Sequence, residues 1–190
     1  MALLTAACKN DSTTAPISNA VVSLPLQTDT DILKFALFLE LLESSFYVQA
    51  VAGGALSGPV LALATNIRDH ENAHVAALQA ALGSSSFGTA DVGFNFGSTT
   101  TSQSSFLATS QALEGTGVGA YLGALASISS RSLRTTAGSI FTIECRHYAV
   151  VRAMNNASGG PVAAAFATPM TPASVVAAVQ ATGFVTKGLG

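Results

Sequence analysis

A matched pair of motifs constrains this chain more than any other feature. Glu40 is followed seven residues later by Tyr47, and Glu114 seven residues later by Tyr121. Further on, Glu71-Asn72-Ala73-His74 answers Glu144-Cys145-Arg146-His147. The step from Glu40 to Glu71 is 31 residues and that from Glu114 to Glu144 is 30. The second half therefore restates the first: Glu-x6-Tyr, then Glu-x-x-His. Residues three apart share one face of a helix, so each Glu-x-x-His can present both side chains to one point.

The surrounding pattern is helical. Thr28 to Asp31 offers N-cap chemistry before an apolar run, and predicts a first helix over about 29–52, ended by Gly53-Gly54. Pro59 suits the first turn of a second helix running from about 58 to 83. A Ser-, Gly- and Thr-rich stretch over 83–103 carries Phe87, Phe94 and Phe96 but no evident helix. Third and fourth helices are expected over about 104–127 and 131–156, and Thr171-Pro172 opens a short one ending near Thr182. A connection as long as 83–103 needs a reason in a compact domain. A crossover along the length of a bundle supplies one: two helical hairpins joined by a single long link. The three phenylalanines are expected to pin that link to the bundle. This gives an all-α four-helix bundle over 29–156, a tail or export-signal remnant over 1–28, and a C-terminal extension over 157–190 that packs on the bundle.

Composition sharpens the reading of the motifs. Charged residues make up only 9% of the 190 residues, and the chain holds five glutamates and three histidines. All five glutamates fall in the four expected helices. Antiparallel hairpins bring the middles of their helices to one height, which gathers four carboxylates and two imidazoles in one central volume. The neighbours of Glu40, Glu114 and Glu144 are apolar, and ionised carboxylates there are costly unless paired or metal-bound. Divalent cations resolve the repulsion. Oxygen and nitrogen donors without thiolates suit iron or manganese, with zinc as a substitute. The competing reading leaves these residues on solvent-facing helix surfaces, where Glu and His usually sit. Glu43 is an alternative to Glu40 on the first helix, or a neighbour of it. His70 points about 100° away from Glu71 and is expected at the surface. Tyr47 and Tyr121 either bond the carboxylates or pack in the core.

At these residues the chain resembles the ferritin-like di-metal carboxylate superfamily. Phe35 to Tyr47 looks like the branch with bacterial ferritin-like domain proteins and plant desiccation-related proteins. The resemblance covers about 29–156. It implies a ferritin-like four-helix bundle and two iron or manganese ions held by Glu40, Glu71, His74, Glu114, Glu144 and His147, with Glu71 and Glu144 bridging. It further implies oxidation of Fe(II) or removal of peroxide. The alternative it carries is a structural or stress-protective protein without turnover. Two Glu-x-x-His motifs and the long crossover depart from storage ferritins, so a cage is not expected, and a homodimer stays open.

The other partners expected are metal ions and O2 or peroxide. A net charge of −2 points to no nucleic-acid partner. No apolar stretch of about 20 residues is uninterrupted, so no spanning helix is expected. Leu4-Thr5-Ala6-Ala7-Cys8 resembles the end of a bacterial lipoprotein signal, although the basic start and long apolar region are missing. Export, with a lipid anchor at Cys8, is the expectation, with a cytoplasmic location as the alternative. Cys145 reads as a small buried hydrophobe.

Overall fold

The computed structural model describes residues 26–189. Residues 1–25, including Cys8, lie outside the described part. Four long helices dominate: α1 (Asp29–Ala52), α2 (Gly58–Leu82), α3 (Gln103–Leu125) and α4 (Arg131–Met154). A shorter α5 (Pro172–Thr182) follows. Each expected helix is present, with ends within two residues of the expectation. The starts follow from local chemistry. Thr28 and Asp31 form a reciprocal capping box at α1. Ser102, Ser130 and Thr171 accept backbone N–H bonds at the starts of α3, α4 and α5. Between α1 and α2 the chain reverses through Gly54, at φ +73°, a left-handed backbone that glycine adopts without penalty.

Helix α1 packs on α2, α3 packs on α4, and the hairpins meet through α1–α3 and α2–α4. Two end contacts fix the directions. The Asp29 carboxylate accepts N–H bonds from Ser129 and Ser130 at 2.7 and 2.8 Å, so the start of α1 meets the α3–α4 turn. The Ser57 N–H donates to Gln103 Oε1 at 2.8 Å, so the start of α2 meets the start of α3. Helices α1 and α3 are therefore antiparallel, and the link from Leu82 to Gln103 must travel the bundle's full length.

That link is not bare loop. It begins with a single 3-10 turn, Gly83–Ser85, and contains a short strand β1 (Gly93–Phe94). Strand β2 (Val185–Lys187) returns from the C-terminus and pairs antiparallel with β1. This small ribbon was not expected. The phenylalanines act as pins: Phe94 meets Phe38 with ring centroids 5.7 Å apart, and Phe96 meets Phe46 at 5.4 Å and Phe184 at 5.2 Å.

The middle of helix α1 is consequently covered on every side. Residues Leu37 to Ser44 are buried without interruption. Of the described helices it alone has the length and mean hydropathy of a membrane span, and 67% of that window is buried within the fold. A helix apolar all round is what the centre of a multilayered bundle requires. Across the hairpin interface Phe46 stacks on Phe106, centroids 5.5 Å apart and nearly parallel. This packing holds the two halves of the acidic centre at fixed separation.

On the far side of α3 the glycines Gly119 and Gly123 let the segment before α5 approach closely. The Met170 N–H donates to the Gly119 carbonyl at 2.9 Å. A Cβ at Gly123 would lie 2.1 Å from the Met170 carbonyl oxygen. Below that contact, Val175, Val176 and Val179 of α5 are buried.

Candidate metal centre

All five glutamates of the chain are buried, four of them with no exposed surface. Glu40 and Glu43 come from α1, Glu71 from α2, Glu114 from α3 and Glu144 from α4. They meet because each lies near the middle of its helix on the face turned to the bundle axis. His74 and His147, one turn beyond Glu71 and Glu144, are buried beside them.

The side chains form two overlapping groups. Glu40, Glu71, His74 and Glu144 bring ligating atoms within 4.8 Å of one another, and so do Glu71, Glu114, Glu144 and His147. Two carboxylates, Glu71 and Glu144, belong to both. Each imidazole faces three carboxylates through Nδ1. For His74 these are Glu40, Glu71 and Glu144 at 3.2, 3.3 and 3.2 Å. For His147 they are Glu71, Glu114 and Glu144 at 3.0, 3.3 and 3.9 Å. The sequence repeat thus becomes an approximate twofold relation in space.

The tyrosines cross between hairpins. Tyr47 of α1 donates to Glu114 Oε1 on α3, and Tyr121 of α3 donates to Glu40 Oε1 on α1. Tyr47 also bonds Ser110. In both cases one carboxylate oxygen is tied down, and the other, Oε2, faces an imidazole. Burial and the adjoining carboxylates raise both phenols well above their ordinary range, so they remain donors.

Charge is the central problem of this volume. Burial, then the neighbouring carboxylates, pushes Glu43 and Glu144 well above the usual carboxylate range, and Glu71 rises for the same reasons. Burial acts the same way on Glu40, but bonds from His74, Glu71 and Tyr121 hold it low. Burial disfavours the His74 cation, yet Glu144, Glu40 and Glu71 push its pKa up to about 12. Protons are thus retained wherever no other positive charge is supplied. Five buried atoms also lack any hydrogen-bond partner: Glu71 Oε1, Glu114 Oε2, both oxygens of Glu144, and His147 Nδ1. Native folds rarely leave such atoms unpaired. The four carboxylate oxygens are lone-pair donors, His147 Nδ1 is one whenever its hydrogen sits on Nε2, and donors gathered in one volume with no N–H or O–H bonded to them suit a divalent cation. The residues present therefore fit a metal ion.

A family model described as ferritin-like domain matches residues 28–157. The chain belongs to the ferritin-like domain family. Among curated proteins no match was found. The matched segment contains all four long helices and every Glu and His of the centre, and stops before α5.

Within this ferritin-like bundle two residues stand apart from the two groups. Glu43 is buried and lies against Gly117, where a built Cβ would be 3.4 Å from its Oε1, yet it contributes no atom to either group. His70 is exposed at the surface as expected, but its Nδ1 lies 2.9 Å from Nε2 of His147, the two rings edge to edge with centroids 5.2 Å apart. Its position one residue before Glu71 gave no signal of this, because the contact crosses from α2 to α4. Arg146 is exposed, and Arg152 donates to the Gly160 and Ser158 carbonyls rather than to any carboxylate. Cys145 is half-buried, in a groove lined by Val118, Tyr148 and Phe166, away from both groups.

Proposed function

We propose that this ferritin-like protein holds two iron or manganese ions and acts as an oxidoreductase on Fe(II) or peroxide. One ion would be held by Glu40, Glu71, His74 and Glu144, the other by Glu71, Glu114, Glu144 and His147. The observation that carries this reading is the sharing of Glu71 and Glu144 between the two four-residue groups. Two carboxylates common to two adjacent donor sets suit paired ions, and a single ion in either set would leave one carboxylate and one imidazole of the six residues unused. Iron or manganese bound there supplies one-electron chemistry toward O2 or peroxide, whereas zinc would fill the same donors without redox chemistry.

The chain's own part is to hold and aim the donors. Tyr47 and Tyr121 fix the outer carboxylates, Glu114 and Glu40, so that their free oxygens face the two imidazoles. The packed ring of Phe46, Phe106 and Tyr47 keeps water from that side. Carboxylate-rich donors without thiolate or thioether suit iron and manganese and offer no soft site for Cu(I).

Metal analysis of the purified protein, followed by stopped-flow absorbance with Fe(II) in air and peroxide consumption after manganese loading, tests the reading. Two ions per chain and turnover that vanishes in both His74→Ala and His147→Ala are expected. Two bound ions without turnover would move the protein to a structural or stress-protective role. Fewer than one ion per chain after loading would refute the centre itself.

A further inference from the structure

Although its two halves repeat, the centre is not symmetric, and the difference lies in how the two imidazoles are held. His74 points Nδ1 at Glu40 Oε2 and Glu71 Oε2 in hydrogen-bonding geometry, at 3.2 and 3.3 Å. His147 points Nδ1 at Glu71 Oε1 from 3.0 Å, yet forms no hydrogen bond there. Its hydrogen bond lies on the opposite side of the ring: Nε2 meets Nδ1 of His70 at 2.9 Å. Among the described residues, Nε2 of His74 has no such partner. The repeat explains why. His70 precedes Glu71, and the equivalent position before Glu144 is Ile143, which can neither donate nor accept.

A neutral imidazole carries one N–H and one lone pair. Where Nε2–H of His147 donates to the lone pair on His70 Nδ1, His147 Nδ1 keeps its own lone pair and aims it at Glu71, Glu114 and Glu144. In the reverse arrangement His147 Nδ1 would carry the hydrogen, and should then bond Glu71 Oε1, which it does not. Metal-binding histidines are commonly oriented by a partner on the ring nitrogen away from the ion. Here that partner is a second histidine, its ring edge to edge with that of His147 and within 9° of parallel, and reached from the protein surface.

We propose that His70 is a positioning residue for the half of the centre formed by Glu71, Glu114, Glu144 and His147, holding His147 with Nδ1 open toward the carboxylates and so making the two ion positions unequal. This rests on the two-ion reading above. It goes further by giving one position a support that the other lacks.

The test uses the full chain with Co(II) alone as the probe, titrated anaerobically and followed by its visible absorption. Wild-type protein should bind two Co(II). In His70→Ala one of the two affinities should fall roughly 10–100-fold, the size expected when such a support is lost, and the other should hold. His70→Asn keeps an acceptor near the Nδ1 position and should recover much of the loss. His70 is exposed, so the melting temperature of each metal-free variant should stay close to wild type. Nitrogen-15 NMR of the metal-free protein, which needs no ion, should show His147 protonated at Nε2 in wild type and mixed in His70→Ala. Two ions bound by His70→Ala with wild-type affinities would overturn the inference and leave the two-ion reading intact. Equal losses in His70→Ala and His70→Asn would also overturn it, since the bulk of the ring and not its acceptor would then matter. A wild type that binds no Co(II) would sink the two-ion reading, while an unchanged His147 tautomer in His70→Ala would separately sink the role of His70.

Discussion

Alanine at Gly117 should separate the stability of the bundle from its capacity to bind metal. Gly117 lies in the middle of α3, three residues after Glu114, and a Cβ there would sit 3.1 Å from Glu144 Oε2 and 3.4 Å from Glu43 Oε1. Two effects oppose each other. Replacing a mid-helix glycine by alanine gains about 1 kcal/mol of helix propensity. The methyl group also crowds the Glu144 carboxylate, which must retreat by a few tenths of an ångström. Metal sites tolerate ligand displacements of only about 0.2 Å. The retreat therefore exceeds what a bound ion accepts but is small for a packed side chain. Metal-free Gly117→Ala should melt within about 4 °C of wild type, since roughly 1 kcal/mol moves a chain of this size by 2–4 °C. Its Co(II) affinity should fall on the order of tenfold, about 1.4 kcal/mol. Gly138→Ala supplies the comparison, because a Cβ at Gly138 on α4 would meet only Leu125 Cδ2, at 3.9 Å. That variant should gain the full helix propensity and bind metal as wild type does. Circular dichroism melts of the chelated proteins, with Co(II) titrations alongside, measure both quantities. Should Gly117→Ala bind two ions with unchanged affinity, Glu144 is not a ligand and the shared-carboxylate argument fails.

Chelated protein should lose stability as pH rises. Glu43, Glu71 and Glu144 bind protons more tightly when folded than an ordinary glutamate does, and His74 keeps its proton up to about 12 against an ordinary 6.5. The folded state then holds more protons than the unfolded one, and above pH 6.5 His74 alone gives a loss of about 1.4 kcal/mol per pH unit until its folded pKa is passed. Metal loading should flatten that slope, because ions replace the protons; melts at pH 6 to 9 with and without chelator decide it, and a chelated protein whose melting point climbs over that range contradicts the charge argument. Tyr47→Phe strips bonds from Ser110 and Glu114 and should cost about 1–3 kcal/mol in urea unfolding. It should weaken metal binding as well, and an unchanged affinity would show that Glu114 does not need its tyrosine. Gly123→Ala collides with the Met170 carbonyl and should free the segment before α5 at a cost of about 1–3 kcal/mol. Hydrogen exchange should rise over 160–172 and stay low in α1, with uniform protection counting against the close-packed contact.

The sequence carried the helices because their signals are local. Thr28 with Asp31, Gly53-Gly54 and Pro59 act within a few residues of where the chain starts or stops, so their meaning survives without knowledge of the fold. Convergence of the glutamates was legible for a different reason: a repeated spacing fixes height along a hairpin, and height is all that is needed to bring Glu40 to Glu71. Lateral relations were not legible. That Tyr47 bonds Glu114 and not Glu40, or that His70 reaches His147, depends on which helices face each other across the bundle. Spacing within one helix is silent on that. The β1–β2 ribbon was missed because strands of two and three residues show no alternation to read, and their pairing joins positions about ninety residues apart. The fit of Met170 against Gly119 and Gly123 was hidden likewise, since a glycine in a helix reads as a cost until the backbone it admits is known.

The acidic residues divide by type, and the division follows from reach. All five glutamates are buried, while Asp29, Asp31, Asp69 and Asp91 all remain at least partly exposed. An aspartate on the inward face of a helix ends close to its own backbone, and its carboxylate tends to bond nearby N–H groups, as Asp31 does at the start of α1. Glutamate has one more methylene, enough to carry the carboxylate past the backbone to the bundle axis, where oxygens from four helices can meet. A chain with few charges that keeps every glutamate inside has not used them for solubility; serine and threonine serve at the surface. Placing four or five buried carboxylates together is unfavourable for a fold that gains nothing from their charge. Substituting Glu71, His74 and Glu144 together by Gln, which removes the carboxylates along with the imidazolium they pair with, should accordingly stabilise the chelated protein while abolishing metal binding. Loss of stability in that triple variant would mean that the charged groups are retained for the bundle's own sake, and the case for a metal centre would lose its physical footing.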